Sequence, residues 1–136
     1  NALDMRTSAS IQITPAVREW DYGSYEGKTS AQIRAEREQN GDSPDWDIWR
    51  DGCADGEMPA DVEARLDALI REIRDKFHRD RFGARAGWKG QDGRPNDVLI
   101  VAHGHILRAF AARWIGKRVS ENPGLILEAG GVGTLR

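Results

Sequence analysis

Two periodicities organise the apolar positions of this chain. Val62, Leu66, Leu69, Ile70, Ile73 and Phe77 recur at three- and four-residue intervals and predict a helix over 62–78, with Pro59 suited to its first turn. Leu107, Phe110, Ala111, Trp114 and Ile115 repeat that spacing and predict a helix over 107–115, stopped by Gly116. A further helix is framed by Thr29 and Gln32, which make a capping-box pattern, and by Gly41 at its end. Val98 to Ala102 is different. It is an unbroken apolar run rich in β-branched residues, the pattern of a strand covered on both faces in a parallel or mixed sheet. Shorter apolar stretches at 11–14, 125–127 and 132–135 predict additional strands. The expectation is an α/β fold with strand 98–102 central and the two apolar-striped helices packed on the sheet.

The stretches between these elements are uneven. Val17 to Gly27 is dense in aromatics, carboxylates and glycine without either periodicity, the composition of an ordered loop near a site, in which Trp20, Tyr22 and Tyr25 are expected to cap the core. Asp42 to Gly52 holds four aspartates but lacks the terminal glutamate of a calcium loop, and its Trp46, Ile48 and Trp49 read as an apolar lid or core edge. From Gly83 to Asp97 the chain is polar and glycine-rich, a loop before the central strand.

Length and charge narrow the function classes. With 136 residues the chain is one domain at most. Twenty basic residues against 22 acidic ones leave a net charge of -2, so no sequence-wide field points to nucleic acid or to an anionic membrane, and any anion site must be local. No apolar run approaches a membrane span, and the first residues lack the charged and apolar regions of a signal peptide. A single cysteine permits no internal disulfide, which fits a cytoplasmic protein. The chain begins without methionine and stops inside what reads as a strand, so a fragment is expected.

Candidate chemistry gathers where the central strand meets the following helix. His103, Gly104 and His105 are expected in that turn, at the carboxyl end of the sheet, where the free N–H groups opening a helix favour an anion such as phosphate. Gly104 lets backbone approach a ligand, and Arg108 is placed to support a ligand or a neighbouring carboxylate. A lone histidine here would more often serve only a backbone hydrogen bond; two flanking a glycine favour function. A zinc site needs three or four ligands, and neither Cys53 nor His78 lies at a recognisable ligand spacing, so no metal is expected. In the aromatic loop, Glu19 lies between Val17 and Trp20 and is a candidate general acid.

The segment Val17 to Gly27, followed by Val101-Ala-His-Gly-His-Ile-Leu-Arg108, resembles the histidine phosphatase superfamily, the phosphoglycerate mutase-like fold. The similarity extends through Gly56-Glu-Met-Pro59 and Leu125 to Leu135, most closely to the fungal sedoheptulose-1,7-bisphosphatase branch. The resemblance implies a three-layer αβα sandwich, with residues 1–136 forming a partial domain. It implies phosphoryl transfer from a small phosphorylated metabolite, a sugar bisphosphate, without metal or cofactor. A histidine in an Arg-His-Gly motif attacks phosphorus, and water hydrolyses the phosphohistidine. By this resemblance Glu19 is the proton donor. His103, which the residues alone would nominate as nucleophile, becomes the second active-site histidine, aided by the N–H groups of Gly104 and His105. The sequence departs from the family in having no Arg-His-Gly and no counterpart of the second phosphate arginine, so a nucleophile beyond this fragment is expected and the 136 residues alone are expected to be inactive. Met58 stands where relatives often carry a capping serine. A mutase, or a non-catalytic phosphate-binding protein, is the alternative.

Overall fold

In the computed structural model, which describes residues 11–78, 97–122 and 124–136, the stripe predicted over 62–78 forms a helix that starts and ends earlier. The helices are α1 (Ser30–Gln39), α2 (Ile48–Asp51), α3 (Pro59–Ile73) and α4 (Gly104–Trp114). Short 3-10 turns lie at Pro15–Val17, Gly23–Tyr25 and Val119–Glu121, and a wider π turn at Arg74–His78 follows α3. Val62, Leu66, Ile70 and Ile73 are buried, whereas Phe77, in the π turn, is 41% exposed. The wider turn moves residue 77 off the stripe, so the buried face ends at Ile73.

The capping box of α1 is present. Thr29 Oγ1 accepts from the Gln32 N–H at 3.3 Å, and Gln32 Oε1 accepts from the Thr29 N–H at 2.8 Å. At α3, Met58 has no capping oxygen, and only the reverse bond forms, from the Met58 N–H to Asp61 Oδ2 at 2.9 Å. The expected α4 start at Leu107 is corrected to Gly104. Ile106, Ala109, Phe110 and Ala112 are the buried residues and Ile115 is exposed, so the inward face is shifted from the one read by spacing.

Helix α3 packs against α4. Arg113 forks onto Asp67, with Nε to Oδ1 at 2.8 Å and a terminal nitrogen to Oδ2 at 2.9 Å, a bidentate geometry that fixes the two helices in register. Val119, fully buried, donates its N–H to Glu63 of α3 at 2.7 Å. Helix α2, capped by Asp47, packs against the 119–121 turn and α3 and brings Trp49 edge-on to Trp20 at 5.7 Å, while Tyr25 meets Trp46 at 5.4 Å. Trp46, Ile48 and Trp49 are therefore core residues.

Among the described residues no strand forms, and the expected sandwich is not assembled by them. Leu99 and Val101 are 84% and 82% exposed, and Ile11, Ile13, Ile126 and Val132 are equally uncovered. A strand exists only through a ladder with a neighbour, and the segments 11–14, 98–102, 125–127 and 132–135 do not pair with one another. The loop expected over 83–97 lies, except for Asp97, outside the described residues.

Candidate functional site

The loop carrying Glu19 is shaped by close backbone contact. Thr14 caps the 15–17 turn by accepting from the Ala16 N–H. Farther along, residues 21–24 lie directly on 54–57: the Glu57 N–H donates to the Asp21 carbonyl and the Ser24 N–H to the Ala54 carbonyl, both at 2.9 Å. Glycine makes this approach possible. A Cβ on Gly23, whose φ is +51°, would lie 2.2 Å from the Ala54 carbonyl oxygen, and one on Gly56 would lie 2.3 Å from that of Asp21.

Glu19 then meets the start of α4. Its Oε1 accepts from the Trp20 N–H at 2.9 Å and the Ile106 N–H at 3.0 Å, and its Oε2 accepts from the His105 N–H at 3.3 Å. The helix terminus expected to hold phosphate thus holds a carboxylate of its own chain, for the same reason: N–H groups without intrahelical acceptors attract negative charge. The N–H of Gly104 is not among those that Glu19 takes.

His103 is the N-cap of α4, with an exposed side chain that makes no hydrogen bond to the described residues, and its carbonyl accepts the Leu107 N–H. His105 lies inside the first turn. Its Nδ1 is 2.8 Å from the Tyr22 hydroxyl, in a hydrogen bond whose direction follows the imidazole tautomer, and its ring is 5.4 Å from that of Trp49. Burial, helped by the Arg108 charge and opposed by Glu19 and Asp47, pushes its pKa below the ordinary 6.5, so the imidazole is neutral at neutral pH. Burial and the Glu19 charge also raise the Tyr22 phenol, which keeps its proton. Arg108 stacks over Trp49 at 4.7 Å and donates to the Leu125 carbonyl, tying the 125 segment to α4.

The structure therefore brings Glu19 and His105 together through the α4 backbone and sets His103 and Gly104 at the exposed helix start, while Arg108 is engaged by Trp49 and Leu125. Reading the sequence missed Tyr22, Trp49 and Glu57 as neighbours of the site. Tyr22 and Trp49 read as core aromatics, and no local period marks which way a residue in an aperiodic loop faces. Among the described residues, no three His, Cys, Asp or Glu side chains gather as a metal-holding group.

Comparison with known proteins supplies a context for this arrangement. Sedoheptulose 1,7-bisphosphatase of Saccharomyces cerevisiae is 30% identical over 166 residues, covering 97% of this chain and 58% of its own length. An acid phosphatase of Mycobacterium tuberculosis is 33% identical over 122 residues, covering 90% of this chain and 49% of its own. The chain thus spans about half the length of these relatives. The solved structure of the product of open reading frame Rv3214 of Mycobacterium tuberculosis superposes with a TM-score of 0.60 at 35% identity, over 83% of this chain and 47% of that one. The model of the histidine phosphatase superfamily (branch 1) matches residues 1–136 throughout, and with a glutamate seated on the helix that follows the His-Gly-His turn, this chain belongs to that superfamily.

Proposed function

We propose that the whole protein hydrolyses a phosphate monoester of a small metabolite, a sugar bisphosphate such as sedoheptulose 1,7-bisphosphate, through a phosphohistidine formed on a histidine outside these 136 residues. The observation that carries this reading is the seating of Glu19 against α4, one helical turn from the exposed His103. Oε1 is occupied by two N–H donors, whereas Oε2 has one longer contact, which makes Oε2 the oxygen that carries a proton to the departing alkoxide. His103 and the Gly104 N–H take phosphate oxygens and the charge that builds on them during transfer. His105, neutral and held between Tyr22 and Trp49, faces the substrate's sugar portion, and Arg108 supports the site by holding Trp49 and the 125 segment. The three-layer sandwich of the family is completed in the same reading by neighbours for the uncovered 98–102 segment.

The test uses the whole protein and two substrates, an alkyl phosphate with a basic leaving oxygen and an activated aryl phosphate. Glu19→Gln is expected to slow the alkyl ester by roughly 10²–10⁴-fold and the aryl ester far less. Reactions quenched in alkali should yield a phosphoenzyme that is stable to base and lost on acid treatment. Equal losses on both esters, or turnover without such a phosphoenzyme, would overturn the assignment.

A further inference from the structure

The ion cluster beneath the Glu19 loop has no part in the chemistry just described, yet its bonds bracket Glu19 on both sides. Glu57 is only 7% exposed. Arg65 grips both of its oxygens, Nε to Oε1 at 2.8 Å and a terminal nitrogen to Oε2 at 2.9 Å, and Arg18 adds a contact at 3.1 Å. The remaining capacity of the pair goes to the loop. Arg65 donates to the carbonyls of Ala16 at 2.8 Å and Arg18 at 3.0 Å, before Glu19. Glu57 accepts the Asp21 N–H at 3.0 Å on its side chain and the Trp20 indole N–H at 2.9 Å on its carbonyl, after Glu19. Burial disfavours the Glu57 charge, but the Arg65 hydrogen bonds, the Asp21 N–H and the two arginine charges outweigh it and hold the carboxyl below its ordinary range.

We propose that Glu57 and Arg65 are positioning residues: together they fix the main chain at residues 16, 18 and 21 and the indole of Trp20, and so set where the Glu19 carboxyl stands against α4. A buried, bidentate pair is suited to this, because its geometry is rigid and every polar atom it turns toward the loop meets a backbone or indole partner. The inference rests on the reading of Glu19 as proton donor. It predicts that loosening the pair harms the step that needs the proton and spares the step that does not.

The experiment compares the ratio of kcat/KM for the alkyl and aryl esters in the whole wild-type protein, Glu19→Gln, Glu57→Gln, Arg65→Lys and Asp67→Asn. Glu57→Gln is expected to lower the alkyl rate on the order of tenfold to a hundredfold, the scale of a small misplacement of a reacting group, and the aryl rate much less. Arg65→Lys keeps a cation beside Glu57 but gives up the fork to the loop carbonyls, and it should shift the ratio in the same direction should Glu57→Gln fail to fold. Asp67→Asn weakens the α3–α4 contact without touching the loop and should leave the ratio alone. If Glu19→Gln changes the ratio while Glu57→Gln and Arg65→Lys lower both rates equally, the pair is only structural and the inference falls. If Glu19→Gln itself leaves the ratio unchanged, the proton-donor reading fails first.

Discussion

Leu66→Ala tests where α3 turns its buried face. Leu66 is fully buried in the core cluster, while Leu69, one turn on, only packs against that cluster, and Phe77 is exposed beyond the end of the helix. Removing three buried carbons from Leu66 forfeits about 2.4 kcal/mol of transfer free energy at ~0.8 per methylene. The cavity left between α3 and its neighbours raises the expected loss to about 3–5 kcal/mol. The same truncation at the half-covered Leu69 should cost about 1–2 kcal/mol, and Phe77→Ala under about 1 kcal/mol. Urea unfolding of the whole protein, followed by far-ultraviolet circular dichroism and tryptophan fluorescence, gives the three values in one assay. The gradient is the point of the experiment. Equal losses at 66 and 69, or a large one at 77, would mean that the stripe continues as the bare periodicity suggests and that α3 is rotated relative to α4.

Other outcomes follow from the same contacts. Met58→Ser supplies the capping oxygen that α3 lacks and should raise stability by about 0.5–1 kcal/mol, read as a higher thermal midpoint. Gly23→Ala should lower that midpoint sharply, because its Cβ would collide with the Ala54 carbonyl at a positive φ; an unchanged midpoint would contradict the loop contact. His105 has a folded pKa below its unfolded value of 6.5, so its share of stability is complete above that value and is lost as pH falls through the folded value. Its ring-proton titration by NMR should fall below 6.5, and His105→Gln should flatten the dependence of unfolding free energy on pH in that window.

What could be read from the chain was what is local. Thr29 and Gln32 announce their capping box because both partners lie within one turn, and the α3 stripe is visible because burial there repeats with the helix period. The start of α4 was misplaced by three residues for the opposite reason. Its first N–H groups are satisfied by Glu19, more than eighty positions away, so neither His103 nor Gly104 carries a recognisable cap signal. Glu57, Arg65 and the 16–21 loop are likewise joined only in space. The strand assignments stand differently: a run such as Val98 to Ala102 encodes a preference for cover and for a ladder, but not which segment provides them, and the described residues supply no partner.

The seating of Glu19 on α4 also bears on how this superfamily tolerates change. Active-site groups commonly sit at some expense to the fold, so their removal tends to stabilise a protein. In the proposed reading the proton-donating carboxylate is also the acceptor for the helix that follows the histidine turn, and hydrogen bonds to a charged group are among the stronger ones a fold contains. A lineage that abandoned catalysis would therefore still be selected to keep a glutamate at this position, as a fastener. The glutamate alone would then report the fold, and in the proposed reading it is the pairing of Glu19 with the exposed His103 and a nucleophile that would report activity.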